Sequence, residues 1–101
     1  MSRRDEQGPS VIQVEHLPER GRFQACVDGH LCVADYRLAG GVMQMTHTRV
    51  PPPLEGRGIA AHLVAAALSQ AREHGLKVRP SCSYVAVYMR RHPETLGLLA
   101  G

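Results

Sequence analysis

Aromatic residues are scarce in this chain: no tryptophan, one phenylalanine and three tyrosines among 101 residues, 4% in all. With so few rings to stack on bases, and with basic residues scattered rather than gathered in a stripe, no nucleic-acid partner is expected. The small basic clusters are Arg3-Arg4 and Arg90-Arg91-His92. Cysteine is limited to Cys26, Cys32 and Cys82, an odd number without a CxxC pair. That argues against a disulfide framework and against a structural zinc site, so no metal is expected. The apolar runs are too short to span a bilayer, so no membrane partner is expected either. No apolar run follows Arg3 and Arg4, the start does not read as a signal peptide, and the expected location is cytoplasmic.

What the sequence does hold is enough for one small globular core: 44% hydrophobic residues, with a net charge of +3. Such a mildly basic balance suits a site for a phosphorylated small molecule. Residues 1–10, MSRRDEQGPS, are polar and expected to fray, leaving a single domain over 11–101.

Val11 to Glu15 is a short strand candidate, and Arg22 to Asp28 alternates with Phe23, Ala25 and Val27 on one face. Asp28-Gly29 signals a turn into His30 to Leu38. There Leu31, Val33, Asp35 and Arg37 share one face, and Cys32, Ala34, Tyr36 and Leu38 the other. Gly40-Gly41 turns into Val42 to Val50, where strict alternation points Met43, Met45, His47 and Arg49 the same way. Pro51-Pro52-Pro53 then ends the strand, because proline cannot donate to a ladder.

From Ile59 the apolar period becomes helical, with Ile59, Ala60, Leu63, Ala67, Leu68 and Ala71 in one stripe and Gly75 closing it. Leu76 to Val78 restarts an extended segment leading to Ser81 and Cys82. Ser83 to Arg91 suits a short helix with Ser83 as N-cap, interrupted by Pro93, and Glu94 to Ala100 adds a helical turn or two. The order is an antiparallel four-strand meander, a long helix, a strand and a short C-terminal helix. This is an α/β (α+β) arrangement with a mixed central sheet.

The stretch LEGRGIAAHL, residues 54–63, places Gly56 and Gly58 where the long helix begins. The first N–H groups of a helix lack intrahelical partners and point outward with the positive end of its dipole. Glycines let an anion approach that backbone, and Arg57 can add a charge-assisted contact. The same pair can also be a plain strand-to-helix turn. The stretch is not a Walker loop, since no Gly-Lys-Ser/Thr follows, and it lacks the third glycine and parallel context of a Rossmann fingerprint.

Glu55-Gly56-Arg57-Gly58-Ile59-Ala60 resembles the Gln/Arg-x-x-Gly-x-Gly/Ala signature of the GCN5-related N-acetyltransferases, with Glu55 standing where Gln or Arg is usual. With MTHTRVPPPLEGRGIAAHLV and GLKVRPSCSYVAVYMRRHPE, the chain from Val11 to Leu99 is most similar to their very small YjdJ-like or NATD1-like branch. The resemblance implies acetyl-coenzyme A as co-substrate and an amine acceptor of unknown identity, either a protein or peptide amine or a small polyamine or metabolite.

It also implies site residues. The strand stretch His47, Thr48, Arg49 and Val50 would offer main-chain donors to the thioester, and Gly56, Arg57, Gly58, Ile59 and Ala60 would hold the pyrophosphate. His47 would be a general base or an exposed strand histidine. Tyr88 would protonate the leaving thiolate or sit at the core edge. Cys82 would be a proton donor, an acyl acceptor or an inert buried thiol. Arg91, with Arg90 and His92, would reach the phosphates or cap a solvated helix end. The expected activity is acetyl transfer by a monomer or a weak homodimer. The rivals are a catalytically weak acyl-coenzyme A binding or sensing module and, more remotely, a basic nucleic-acid-binding domain.

Overall fold

A computed structural model describes residues 12–101. The expected frayed tail and Val11 lie outside the described residues. The described elements are strands β1 (Glu15–Leu17), β2 (Arg22–Val27), β3 (His30–Ala39) and β4 (Val42–Arg49), helix α1 (Ile59–Glu73), strand β5 (Lys77–Pro80) and helix α2 (Ser83–Arg91). Single turns of 3-10 helix occupy Pro18–Arg20 and Pro52–Leu54, and a longer one runs over Pro93–Leu98. The first strand is thus shorter and later than expected, and Pro18 ends it by opening a helical turn.

Both hairpin turns take the left-handed backbone that two-residue connections need. Asp28 and Gly29 have φ of 50° and 78°, and Gly40 and Gly41 have φ of 56° and 78°. They set β2, β3 and β4 antiparallel, in the sheet order β1-β2-β3-β4-β5. Strand β5 joins parallel to β4, after the crossover through α1. That helix ends in a Schellman pair: Leu76 N–H donates to the Ala71 carbonyl at 2.8 Å and Gly75 N–H to Arg72 at 3.3 Å.

Helix α1 buries Ile59, Leu63, Val64, Ala67, Leu68 and Ala71. Val64 stands in the stripe where Ala60 was expected, and Ala60 is only half-buried. The strands meet α1 with Ala25, Cys32 and Ala34, small side chains that let the helix lie close, flanked by Phe23, Tyr36, Met43 and Met45. Helix α2 adds Val85 and Met89 to the same core. Cys82 is its N-cap and Ser83 its first residue, one position away from the expected start.

Strand β4 departs from strict alternation. Tyr36 pairs with Met45, but the adjacent Asp35 pairs with His47, so Thr46 is an extra residue in a bulge. Its hydroxyl donates to the Asp35 carbonyl at 3.3 Å. Met43 and Met45 therefore face the helices, whereas His47 and Arg49 face the other side of the sheet. The shared face expected for those four residues is split by one inserted position.

Candidate active site

The β4–β5 ladder runs only from Val42↔Lys77 to Met45↔Pro80. One further bond, Cys82 N–H to the Met45 carbonyl at 3.0 Å, closes it before the chain turns into α2. Beyond Met45, β4 keeps β3 on one side and, among the described residues, has no strand on the other. The chain continues through the Pro52–Leu54 turn, which buries Leu54 and fixes the approach to the glycines.

Gly56 has φ of 85° and Gly58, the N-cap of α1, has φ of 78°, both in the region that favours glycine. A Cβ built at either meets no atom within 4 Å, so both open onto free space. Among the described residues no main-chain bond is donated by the N–H groups of Gly56 to Ala61; the first is His62 N–H to the Gly58 carbonyl at 3.1 Å. The turn thus presents a run of donors at the positive end of a 15-residue helix. They border a cleft of about 550 Å³ lined by Thr48, Arg49, Val50, Leu54, Glu55, Gly56, Gly58, Ile59, Ala60 and Tyr84.

At the neck of the splay, the Thr48 hydroxyl and the Cys82 thiol lie 3.5 Å apart. Burial pushes the Cys82 thiol up, but hydrogen bonds from the Thr48 hydroxyl and from the main chain at Val85, Tyr84 and Thr48 outweigh it. The net effect holds the thiol below its ordinary value.

Seven of the expected contact residues, Thr48, Arg49, Val50, Gly56, Gly58, Ile59 and Ala60, therefore line one cleft with Cys82 at its neck. Others stand apart. Arg57 Nη1 donates to Asp28 Oδ2 of the β2–β3 turn at 2.8 Å and is not among the lining residues. His47 is exposed on the opposite sheet face, across from Asp35.

Tyr88 lines a separate 230 Å³ hollow with Leu68, Arg72 and Thr95, and it stacks on His92 with ring centroids 3.9 Å apart. Burial, then the nearby Glu94 and Tyr84, push its hydroxyl up. Arg91 is exposed at the end of α2 and lines neither hollow. The tyrosine at the cleft is Tyr84, one helical turn before Tyr88 and 39% exposed. Sequence reading passed over Tyr84, although the i, i+4 spacing of the two tyrosines puts them on one helix face.

Residues 22–98 match the family model described as GCN5-related N-acetyl-transferase. The chain belongs to the GCN5-related N-acetyltransferases. Within that family it is similar to the protein called NATD1. It is 37% identical to the Gallus gallus protein over 81% of this chain and 77% of that one. It is 36% identical to the Homo sapiens protein over 81% and 75%. These relatives place it in the NATD1-like branch. A GCN5-like protein of Staphylococcus aureus, solved in solution by NMR, shares the fold with a TM-score of 0.71 over 88% of both chains, at 24% identity. In this family member the signature stretch occupies the glycine turn described above, and Glu55 lines the cleft at the position where it departs from that signature.

Proposed function

We propose that this chain moves an acetyl group from acetyl-coenzyme A to a primary amine. The observation that carries the reading is the run of N–H groups from Gly56 to Ala61 that donate no main-chain bond among the described residues, at an open cleft lined by Gly56, Gly58, Ile59 and Ala60. Donors in such a row suit a pyrophosphate, and the two glycines leave its approach clear. The open edge of β4 from His47 to Val50 supplies donors for the carbonyl oxygen as it gains charge.

The amine nitrogen attacks the acetyl carbon and the carbon–sulfur bond breaks; the ammonium gives up two protons in all, one before attack and one to solvent or base as the amide forms, and the leaving thiolate takes up one, so one proton is released overall. A lysine-like amine with a pKa of about 10.4 is protonated at neutral pH, so it must lose a proton first. His47 takes it, directly or through water, from the sheet face opposite the glycine turn. Cys82 returns a proton to the leaving thiolate, because a thiol held below its ordinary value is a matched donor for another thiol. Tyr84 is the alternative donor, replacing Tyr88, which the fold sets beside His92.

The test is a titration of the full chain with acetyl-coenzyme A followed by amide chemical shifts. The largest changes are expected at Gly56 to Ala61 and at His47 to Val50; a flat response there would end the reading. A second reading, an acyl-coenzyme A sensor with weak turnover, is favoured by Glu55, whose charge opposes an anionic ligand. Release of free coenzyme A with a panel of amines separates the two.

A further inference from the structure

Among the described residues no helix packs on the face of the sheet turned away from α1 and α2; its one buried side chain there is Val33, and its charge is uneven. Cross-strand pairing assigns its side chains. Arg37, Gln44 and Arg79 form one row across β3, β4 and β5, and Arg22, Asp35 and His47 form the next across β2, β3 and β4. Arg49 follows, opposite Val33.

The two acids on this face are already engaged, both toward the β1 edge. Asp35 accepts from Arg22 at 2.8 and 3.4 Å, and Glu15 accepts from Gln24 at 3.1 Å. Arg37, Arg49 and Arg79 are exposed, and no ion pair among the described residues involves them. The side chain between Arg37 and Arg79 is polar and held: Gln44 Nε2 donates to Ser81 Oγ at 2.9 Å, beside Cys82. With strands about 4.8 Å apart, the two guanidinium stems start about 10 Å from one another, on either side of the point where β4 and β5 part.

We propose that the acceptor is a lysine amine in an acidic peptide segment, held by Arg37 and Arg79 on this outer face; this rests on the acetyl-transfer reading. The donor enters from the helix side, where the glycine turn opens. The acceptor then reaches the same β4 edge from the opposite face, where His47 stands. Carboxylates flanking the lysine pair with the two arginines, and the amine comes to rest between them at the splay.

The same field repels a polyamine, which carries only positive charge. Nucleic acid is disfavoured because Phe23 and Tyr36 turn inward and Tyr84 and Tyr88 sit on α2, so among the described residues this face offers no Phe, Tyr or Trp platform, and His47 is a lone ring rather than a row of them. A peptide carboxylate needs only the guanidinium fork.

The test uses five probes on the full chain: one lysine peptide flanked by glutamates, by glutamines or by arginines, spermidine, and a single-stranded thymidine oligonucleotide. Binding is followed by amide shifts, which requires no turnover. Two exposed ion pairs should make the glutamate peptide bind about fivefold tighter than the glutamine one, with shifts centred on Arg37, Gln44 and Arg79 and loss in salt. The double variant Arg37→Gln/Arg79→Gln should erase that preference and leave acetyl-coenzyme A affinity unchanged. Arg79→Glu should turn the preference toward the arginine peptide.

Equal binding of all three peptides, tighter binding of spermidine, or shifts confined to another face would overturn the proposal. So would tighter binding of a single-stranded thymidine oligonucleotide. Failure of acetyl-coenzyme A to bind in a parallel titration would instead sink the transfer reading, leaving the peptide result to be judged on its own.

Discussion

The two halves of β4 satisfy their backbone in different ways. From Val42 to Met45 the strand is bonded on both edges, to β3 and to β5, and its methionines are sealed beneath the helices. From Thr46 onward it is bonded to a strand on one edge only among the described residues, a bulge has turned its side chains over, and it runs into a glycine turn whose N–H groups from Gly56 to Ala61 donate no main-chain bond among those residues. The first half resembles any protein interior. The second leaves polar backbone exposed beside a cleft, an arrangement that water or a ligand must complete. Stability and ligand affinity should therefore respond to different substitutions in the two halves.

The largest expected effect lies in the sealed half. Leu63 of α1 is 0% exposed in the core. Leu63→Ala should lower unfolding free energy by about 3 kcal/mol in a denaturant titration, through lost transfer energy and the cavity left behind. Acetyl-coenzyme A affinity of the folded fraction should change little.

Gly58→Val should do the reverse. Its φ of 78° makes a branched side chain strained, at about 1–2 kcal/mol of stability. The new side chain would also project into the space where the anion is expected, lowering coenzyme affinity at least about tenfold, or ~1.4 kcal/mol, by calorimetry. If Gly58→Val kept full affinity, the distinction between the halves would break at its most exposed point.

The sealed half was largely legible in the sequence. Asp28-Gly29 and Gly40-Gly41 announced their hairpins, because few other dipeptides accept two positive φ values in a row. The helical spacing from Ile59 to Ala71 marked α1, and the glycines marked its open start. The open half was less legible. Alternation says nothing about an extra residue at Thr46, since a bulge is defined by what the neighbouring strand pairs with. His47 and Arg49 were therefore placed on the wrong face. Arg57 could not be separated from the cleft because its partner, Asp28, sits in a turn 29 residues away. Tyr84 and Tyr88 share a helix face, so which of them meets the cleft depends on where β5 ends and Cys82 caps α2.

At the neck between the halves, Cys82 should report the hydrogen bonds that hold it. Its thiol lies below the ordinary value because Thr48 and the first N–H groups of α2 outweigh burial. Alkylation by iodoacetamide should rise with pH through a midpoint below that of a free thiol. Thr48→Val removes one bond to the thiolate and should move the midpoint up. A depressed thiol adds stability above its unfolded pKa and loses it as pH falls through the folded one, so the variant should lose stability mainly on the alkaline side. In turnover, Cys82→Ala should cost about a hundredfold, the scale of a positioned proton donor at its weaker end, with coenzyme affinity within about twofold. Unchanged turnover would remove Cys82 from the chemistry.

The smallest expected effect is a gain. Glu55 lines the cleft, and its main-chain N–H donates to the Pro52 carbonyl at 3.2 Å, so the turn is held by backbone and not by the carboxylate. Glu55→Gln should leave stability within about 0.5 kcal/mol. Removing an exposed like charge from beside a pyrophosphate should tighten acetyl-coenzyme A about threefold at low salt, and less as screening grows. The sign matters more than the size. A weaker complex would mean that the carboxylate itself accepts a hydrogen bond from the ligand. The departure from the family signature at this position would then be a contact in its own right, and the main-chain donors of Gly56 to Ala61 would share the work of binding with a side chain.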